Sequence, residues 1–349
     1  NTPATGNPNI EWDQTTGVLR ANPDGDTTYN TSGVINYLNK FGRTGTPGVY
    51  KRYDPVGELH YETLRYLQGL GPSSAAISSL TADMYDGFPI YTTWADPYGG
   101  SRTSTADYSC TKANIVVIGD VNTNDGNRLP TADAANNIPN INAWRTVVQK
   151  FEKNEVASYV DGQGVTRTTG NPNGANNSVP TGVRTSQIMG TAYWARTQDI
   201  RGSGWTNEPS KQRPGLRVRT FTFDVNENGS NGGTAAETAG QRNYRRFANQ
   251  FFMAAKYGGF ETDPSNPEGN PYNTYGNPFK DKDGNTNNNV WQDTVRPAGE
   301  ANSYYLQSSA RGILTAFDEI FSRASTQARS IAGAALQNKN LTSSGTAFY

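Results

Sequence analysis

Three features of this 349-residue chain call for an α/β fold with a mainly parallel sheet. Ile115-Val116-Val117-Ile118 is a short, wholly apolar, β-branched run that stops at Gly119-Asp120. Such a run suits a strand covered on both faces, as in a parallel sheet under helices. Leu216 to Phe223 alternates and is rich in Val, Thr and Phe, so it reads as a second strand, ending at Asp224. Around both runs apolar residues recur at helical spacing, and strands alternating with helices build parallel sheets.

Taken in order, the first helix is expected where Val34, Ile35, Leu38 and Phe41 recur, with Thr31 or Ser32 as its cap and Gly42 as its stop. The second is clearer. Asp54 is placed to accept from the free N–H groups of its first turn, and Pro55 sits at the tolerated first position. Val56, Leu59, His60, Thr63, Leu64, Tyr66 and Leu67 share one face, opposite Gly57, Glu58, Tyr61, Glu62 and Arg65, and Gly69 ends the helix. Further helices follow at Trp144–Phe151, at Ile188–Ala195 and at Phe247–Ala255, the last closed by Gly258-Gly259. Tyr304-Tyr305-Leu306 is a short strand, and Ile313 to Phe321 is a final amphipathic helix capped by Ser308 or Ser309.

Ligands of parallel α/β sheets bind beyond the carboxyl ends of the strands. Asp120 and Asp224 both stand at such ends. Long Asn/Gly/Pro loops run between the elements, chiefly 72–112, 121–140, 157–183, 225–243 and 262–300. They are expected to be ordered insertions pinned by neighbouring chains, ions or internal hydrogen bonds.

Composition excludes several functions. Lys+Arg and Asp+Glu are both 31, which leaves no basic excess for nucleic acid or an anionic membrane. One His and one Cys cannot build a zinc site, an iron–sulfur cluster or an internal disulfide framework. No run of 18 apolar residues is present to span a membrane. Charged residues are only 18%, yet Tyr 19, Trp 6 and Phe 13 make the chain rich in aromatics. That balance reads as a loop-heavy secreted surface protein with a real core. The chain carries no signal peptide and does not begin with Met, so processing or a longer parent polypeptide is expected.

Four strings resemble one family closely: Ser32 to Gly42 (SGVINYLNKFG), Tyr53 to Gly69 through its YDPVGEL and LRYLQG runs, Ile118 to Thr123 (IGDVNT), and Ala192 to Arg201 (AYWARTQDIR). They are similar to the type IV pilus tip-associated adhesin and biogenesis proteins of the PilC/PilY type. The resemblance runs nearly end to end, the long loops matching least. It implies a doubly wound, von Willebrand factor A-like α/β domain over residues 1–325, with the N-terminal part of that domain missing, and a C-terminal extension over 326–349 toward a following domain. On that reading Ile115 to Asp120 is the central strand delivering an acid to a metal site, Phe251 to Phe260 is the late helix-to-strand step, and Ile313 to Phe321 is the final helix. The Asp-x-Ser-x-Ser loop of metal-binding members is absent, and Asp54 stands where a coordinating Thr belongs. The resemblance further implies a non-enzymatic role in pilus assembly and adhesion, outside the cell at the pilus tip or bacterial surface, with minor pilins and a host or abiotic surface as partners.

Two clusters offer hard oxygen ligands of the kind Ca²⁺ or Mg²⁺ takes. Asp120, Asn122 and Asn124 alternate after the first strand, although Gly126 is displaced by one from an EF-hand loop and position twelve is Thr131. Asp281, Asp283 and Asn285 have similar spacing, with Gln292 where a bidentate acid belongs. Asx turns explain the same letters in both, as they do at Asp24-Gly25-Asp26. His60 reads as a packed, hydrogen-bonded core residue, Glu58 and Glu62 as a solvated helix face, and Cys110 as a buried thiol or half of a disulfide to residues elsewhere. Tyr91, Trp94, Tyr98, Tyr108, Trp205, Tyr272 and Tyr275 either recognise a partner or pin their own loops. Two other functions compete with adhesion. Neutral charge suits a self-assembling fragment that forms a filament or homo-oligomer, and a secreted glycan hydrolase would need paired carboxylates flanking a cleft.

Overall fold

The computed structural model describes residues 11–13, 15–25, 27, 32–40, 55–81, 90–99, 106–119, 128–153, 157–160, 166–169, 187–225, 242, 245–246, 249–261, 279, 288–292, 299–307 and 309–326. Its helices are α1 (Val34–Lys40), α2 (Val56–Leu67), α3 (Ser74–Ile77), α4 (Ile141–Lys153), α5 (Gln187–Thr197), α6 (Gln250–Gly258) and α7 (Ala310–Thr326). Its strands are β1 (Ala113–Gly119), β2 (Ala157–Val160), β3 (Thr166–Thr169), β4 (Val218–Val225) and β5 (Tyr304–Gln307). Three of them form a parallel sheet in the order β1-β4-β5, with Gly119 opposite Asp224 and Asp224 opposite Leu306. β2 and β3 pair separately as an antiparallel hairpin. No helix among the described residues is long and apolar enough to cross a membrane.

Helices cover both faces of the sheet, which is a mixed α/β architecture. Ala113, Ile115 and Val117 of β1, Val218 of β4 and Tyr304 of β5 pack into one core with side chains from α2, α4, α5 and α6. On the other face Phe221, Phe223 and Tyr305 meet Ala316 and Ile320 of α7. β4 lies between two strands and between two helical layers, so seven of its eight residues are buried. β1 corrects the sequence reading. Among the described strands it is an edge and not the central strand, and Ile118 is 54% exposed.

Helix faces depart from expectation in two places. In α2 the buried residues are Val56, Gly57, His60, Tyr61 and Leu64, while Leu59 is 65% exposed. The buried arc follows 57, 60, 61 and 64, because the aromatic body of Tyr61 outweighs its polar tip. Pro55 is the cap position rather than the first helical residue, and Asp54 lies outside the described residues. Gly69 ends the helix as expected, at φ +71°, a conformation strained for other residues. In α1, Val34, Ile35 and Leu38 face outward. Its first turn is capped from a distance by Glu11, whose carboxylate accepts from Val34 N at 3.0 Å. Ser32 instead donates to Asn22 Oδ1 (2.6 Å) and accepts from Asp24 N (3.0 Å). Thr31, Phe41 and Gly42 lie outside the described residues.

α5 is buried along its whole length. Its contact with α4 depends on Gly190, where a Cβ would stand 2.6 Å from Arg145 N and 2.7 Å from Ile141 O. The two backbones therefore touch without an intervening side chain. α7 starts as expected at Ser309, whose Oγ accepts from Gly312 N at 3.1 Å; Ser308 lies outside the described residues.

A candidate site at the carboxyl edge of the sheet

The inner face of β4 carries Thr220, Thr222 and Asp224, a polar column inside an apolar core, and each member is answered by a helix. Thr220 meets His60 Nε2 at 3.1 Å, and His60 Nδ1 meets Thr191 Oγ1 at 3.0 Å. Thr191 Oγ1 donates its own proton to Ile188 O at 3.0 Å. It must therefore accept from Nδ1–H, which leaves Nε2 to accept from Thr220. His60 is thus a neutral core residue, with its pKa lowered to about 3 by burial. One step up the strand, Thr222 Oγ1 donates to Phe251 O at 2.9 Å.

At the strand's end the column meets the site. Asp224 is 3% exposed, and its Oδ2 accepts from Tyr304 OH at 2.6 Å and from Asn249 Nδ2 at 2.7 Å. Asn249 is the cap of α6, its Oδ1 accepting from Phe251 N (2.8 Å) and Phe252 N (3.1 Å). Such a cap contributes about 1 kcal/mol. One carboxylate thereby fixes the exit of β4, the start of α6 and the start of β5. Burial first and Asp224 second push the Tyr304 phenol well above its ordinary value, so it stays a proton donor.

Over this acid lies a second clasp. Arg245 donates to both oxygens of Glu300 at 2.9 and 2.7 Å. Arg246 reaches Glu300 Oε1 through Nε (3.1 Å) and Nη2 (2.8 Å). The Arg245 guanidinium also lies 5.3 Å from the Tyr304 ring centroid and 5.9 Å from that of Phe252. Burial raises the Glu300 carboxyl, but the hydrogen bonds and charges of the two arginines outweigh it and hold the pKa below the usual value. Two acids and two bases cancel, and their hydrogen bonds are spent within the fold. The chemistry on offer is positioning: the clasp anchors the chain on either side of residues 226–241 and just after residues 293–298.

The sequence-predicted metal ligands Asp54, Asp120, Asn122, Asn124, Asp281, Asp283 and Asn285 lie outside the described residues. Among the described residues no group of three or more His, Cys, Asp or Glu is placed to hold a metal. Glu58 and Glu62 do not form a plain solvated face, since each fastens a loop. Glu58 accepts from Arg128 N at 2.9 Å, and Glu62 from Ser73 N at 3.0 Å. Cys110 is exposed, which corrects the buried-thiol reading.

Of the described loop aromatics, Trp94, Tyr98, Tyr108 and Trp205 pin their loops. Trp205 and Tyr108 are buried. Trp94 meets Tyr66 edge-on at 6.0 Å, and Tyr98 meets Tyr108 at 6.3 Å. Tyr272 and Tyr275 lie outside the described residues. Arginines that sequence reasoning missed complete the pinning. Arg201 donates to Leu67 O at 2.8 Å and pairs with Asp96, and Arg213 donates twice to Tyr98 O at 3.0 and 2.8 Å. Arg–carbonyl clamps have no local spacing, so no sequence signal announces them.

A mixed α/β domain with a parallel sheet and an acid-centred clasp at the sheet's carboxyl edge is the class that these features define. Comparison with known proteins narrows it. Residues 24–192 match the family model described as PilY1 homolog, second domain. The chain is 28% identical over 345 residues to a type IV pilus biogenesis factor PilY1 homolog of Xylella fastidiosa (strain Temecula1 / ATCC 700964), a match covering 91% of this chain and 25% of that protein. Both findings liken the chain to PilY1-type proteins, and it spans about a quarter of the length of the curated relative it matches. No solved structure matches it, and the von Willebrand factor A-like assignment rests on resemblance alone. Asp224, Asn249, Glu300 and Tyr304 lie beyond the residues that the family model matches.

Proposed function

We propose that this chain is an extracellular, non-enzymatic module of type IV pilus biogenesis and adhesion, holding minor pilins, the pilus tip and a host or abiotic surface through loops on its α/β scaffold. The match to a protein named as a pilus biogenesis factor carries this reading. The site's chemistry supports it, because Asp224, Glu300, Arg245 and Arg246 are spent on one another and on holding loop ends. Removing residues 1–325 from the full-length protein is expected to abolish surface pili or attachment in a strain that otherwise lacks the gene. Pili and attachment at wild-type level would contradict the reading.

Asp120, Asn122 and Asn124 follow β1, whose last residue pairs with Asp224. This reading takes them as oxygen donors for Ca²⁺ or Mg²⁺ at the same edge of the sheet. Calorimetric titration should show binding to the wild type that Asp120→Ala loses, and identical traces would remove the metal from the account.

A further inference from the structure

α7 buries one side against the sheet and leaves a stripe of alternating charged and apolar residues on the other. Ala316 and Ile320 are buried, whereas Leu314 is 68% and Phe321 63% exposed. The outward stripe reads Arg311, Leu314, Asp318, Phe321, spaced three, four and three residues apart. That is the spacing at which one helix seats along another. The stripe is stiffened from beneath: Phe321 stacks on Phe317 at 6.0 Å, and Phe317 stacks on Phe223 of β4 at 6.1 Å. Phe223 pairs in register with Ile118, which is itself half exposed at the sheet edge.

We propose that two copies of this chain associate through α7, packed antiparallel along this stripe about a two-fold axis. The stripe is self-complementary. Reversing one helix sets Arg311 of each copy against Phe321 and Asp318 of the other, while the two Leu314 side chains meet near the axis. Each contact occurs twice, as a closed two-fold interface requires. The formal charge of zero adds no long-range repulsion between copies. This inference goes beyond the pilus reading and does not depend on it.

Sedimentation equilibrium of the 349-residue chain between about 1 and 500 µM tests it, a range that brackets a modest helix-to-helix contact. The wild type is expected to shift from monomer to dimer, and Phe321→Glu to stay monomeric with an unchanged circular dichroism spectrum. Arg311→Glu should weaken association about tenfold by setting like charges together, and Arg311→Glu with Asp318→Arg should restore it. A wild type that stays monomeric, assembles beyond a dimer, or dimerises equally well as Phe321→Glu overturns the proposal. So does failure of the charge reversal to restore the dimer.

Discussion

His60 shows how a single titratable group is decided by its surroundings. Both ring nitrogens are used, by Thr191 and Thr220, and burial holds the folded-state pKa near 3. In the unfolded chain the same imidazole titrates near its ordinary 6.5. A folded pKa depressed below the unfolded one means that the unfolded state takes up the proton first. Stability is therefore complete above about pH 6.5 and falls as pH drops, by about 1.4 kcal/mol per pH unit for one proton. Denaturant titrations between pH 6.5 and 5 should show stability falling toward that slope in the wild type and a shallower profile in His60→Gln. Equal slopes would contradict the neutral-histidine assignment. Sequence reading placed His60 in the core from its helix face alone, but its hydroxyl partners lie 131 and 160 residues away and have no local signature.

Elements were more legible than their orientations. β1, β4, β5 and the helices from α4 onward stand where apolar spacing puts them, because burial drives both the pattern and the packing. Orientation depends on what each element meets. The apolar spacing puts Leu59 inward and Tyr61 outward, the reverse of what is found, since an amphipathic aromatic satisfies either orientation until its neighbours are known. At the carboxyl edge Asp224 stood out as an acid at a strand end. The Arg245–Glu300 pair joins residues 55 apart and left no trace in spacing. Gly190 is the sharpest test of element packing. Alanine in a helix usually gains up to about 1 kcal/mol over glycine. Here its Cβ meets backbone on two sides, an overpacking cost of about 2–3 kcal/mol. Gly190→Ala should therefore lower the urea midpoint by a net 1–2 kcal/mol equivalent at unchanged m, roughly the difference between those two effects. A raised midpoint would show that α4 and α5 are not in backbone contact.

Across the described residues, helices pack on both faces of a short parallel sheet whose carboxyl edge is held by the hydrogen bonds of Asp224 and Glu300. Charge neutrality, visible from composition, leaves no basic surface for nucleic acid, and the aromatic wealth goes largely into the buried cores. The clasp is what should couple scaffold to loops, and Glu300→Gln in the full-length protein isolates it. The substitution keeps the side chain's shape but removes the charge facing both arginines, at a cost of about 2–3 kcal/mol. Surface pili per cell, counted at matched levels of exported protein, should fall several-fold in this variant. Wild-type pilus numbers, alongside faster hydrogen exchange at the Asn249 N–H that donates to Arg245 O, would contradict the account.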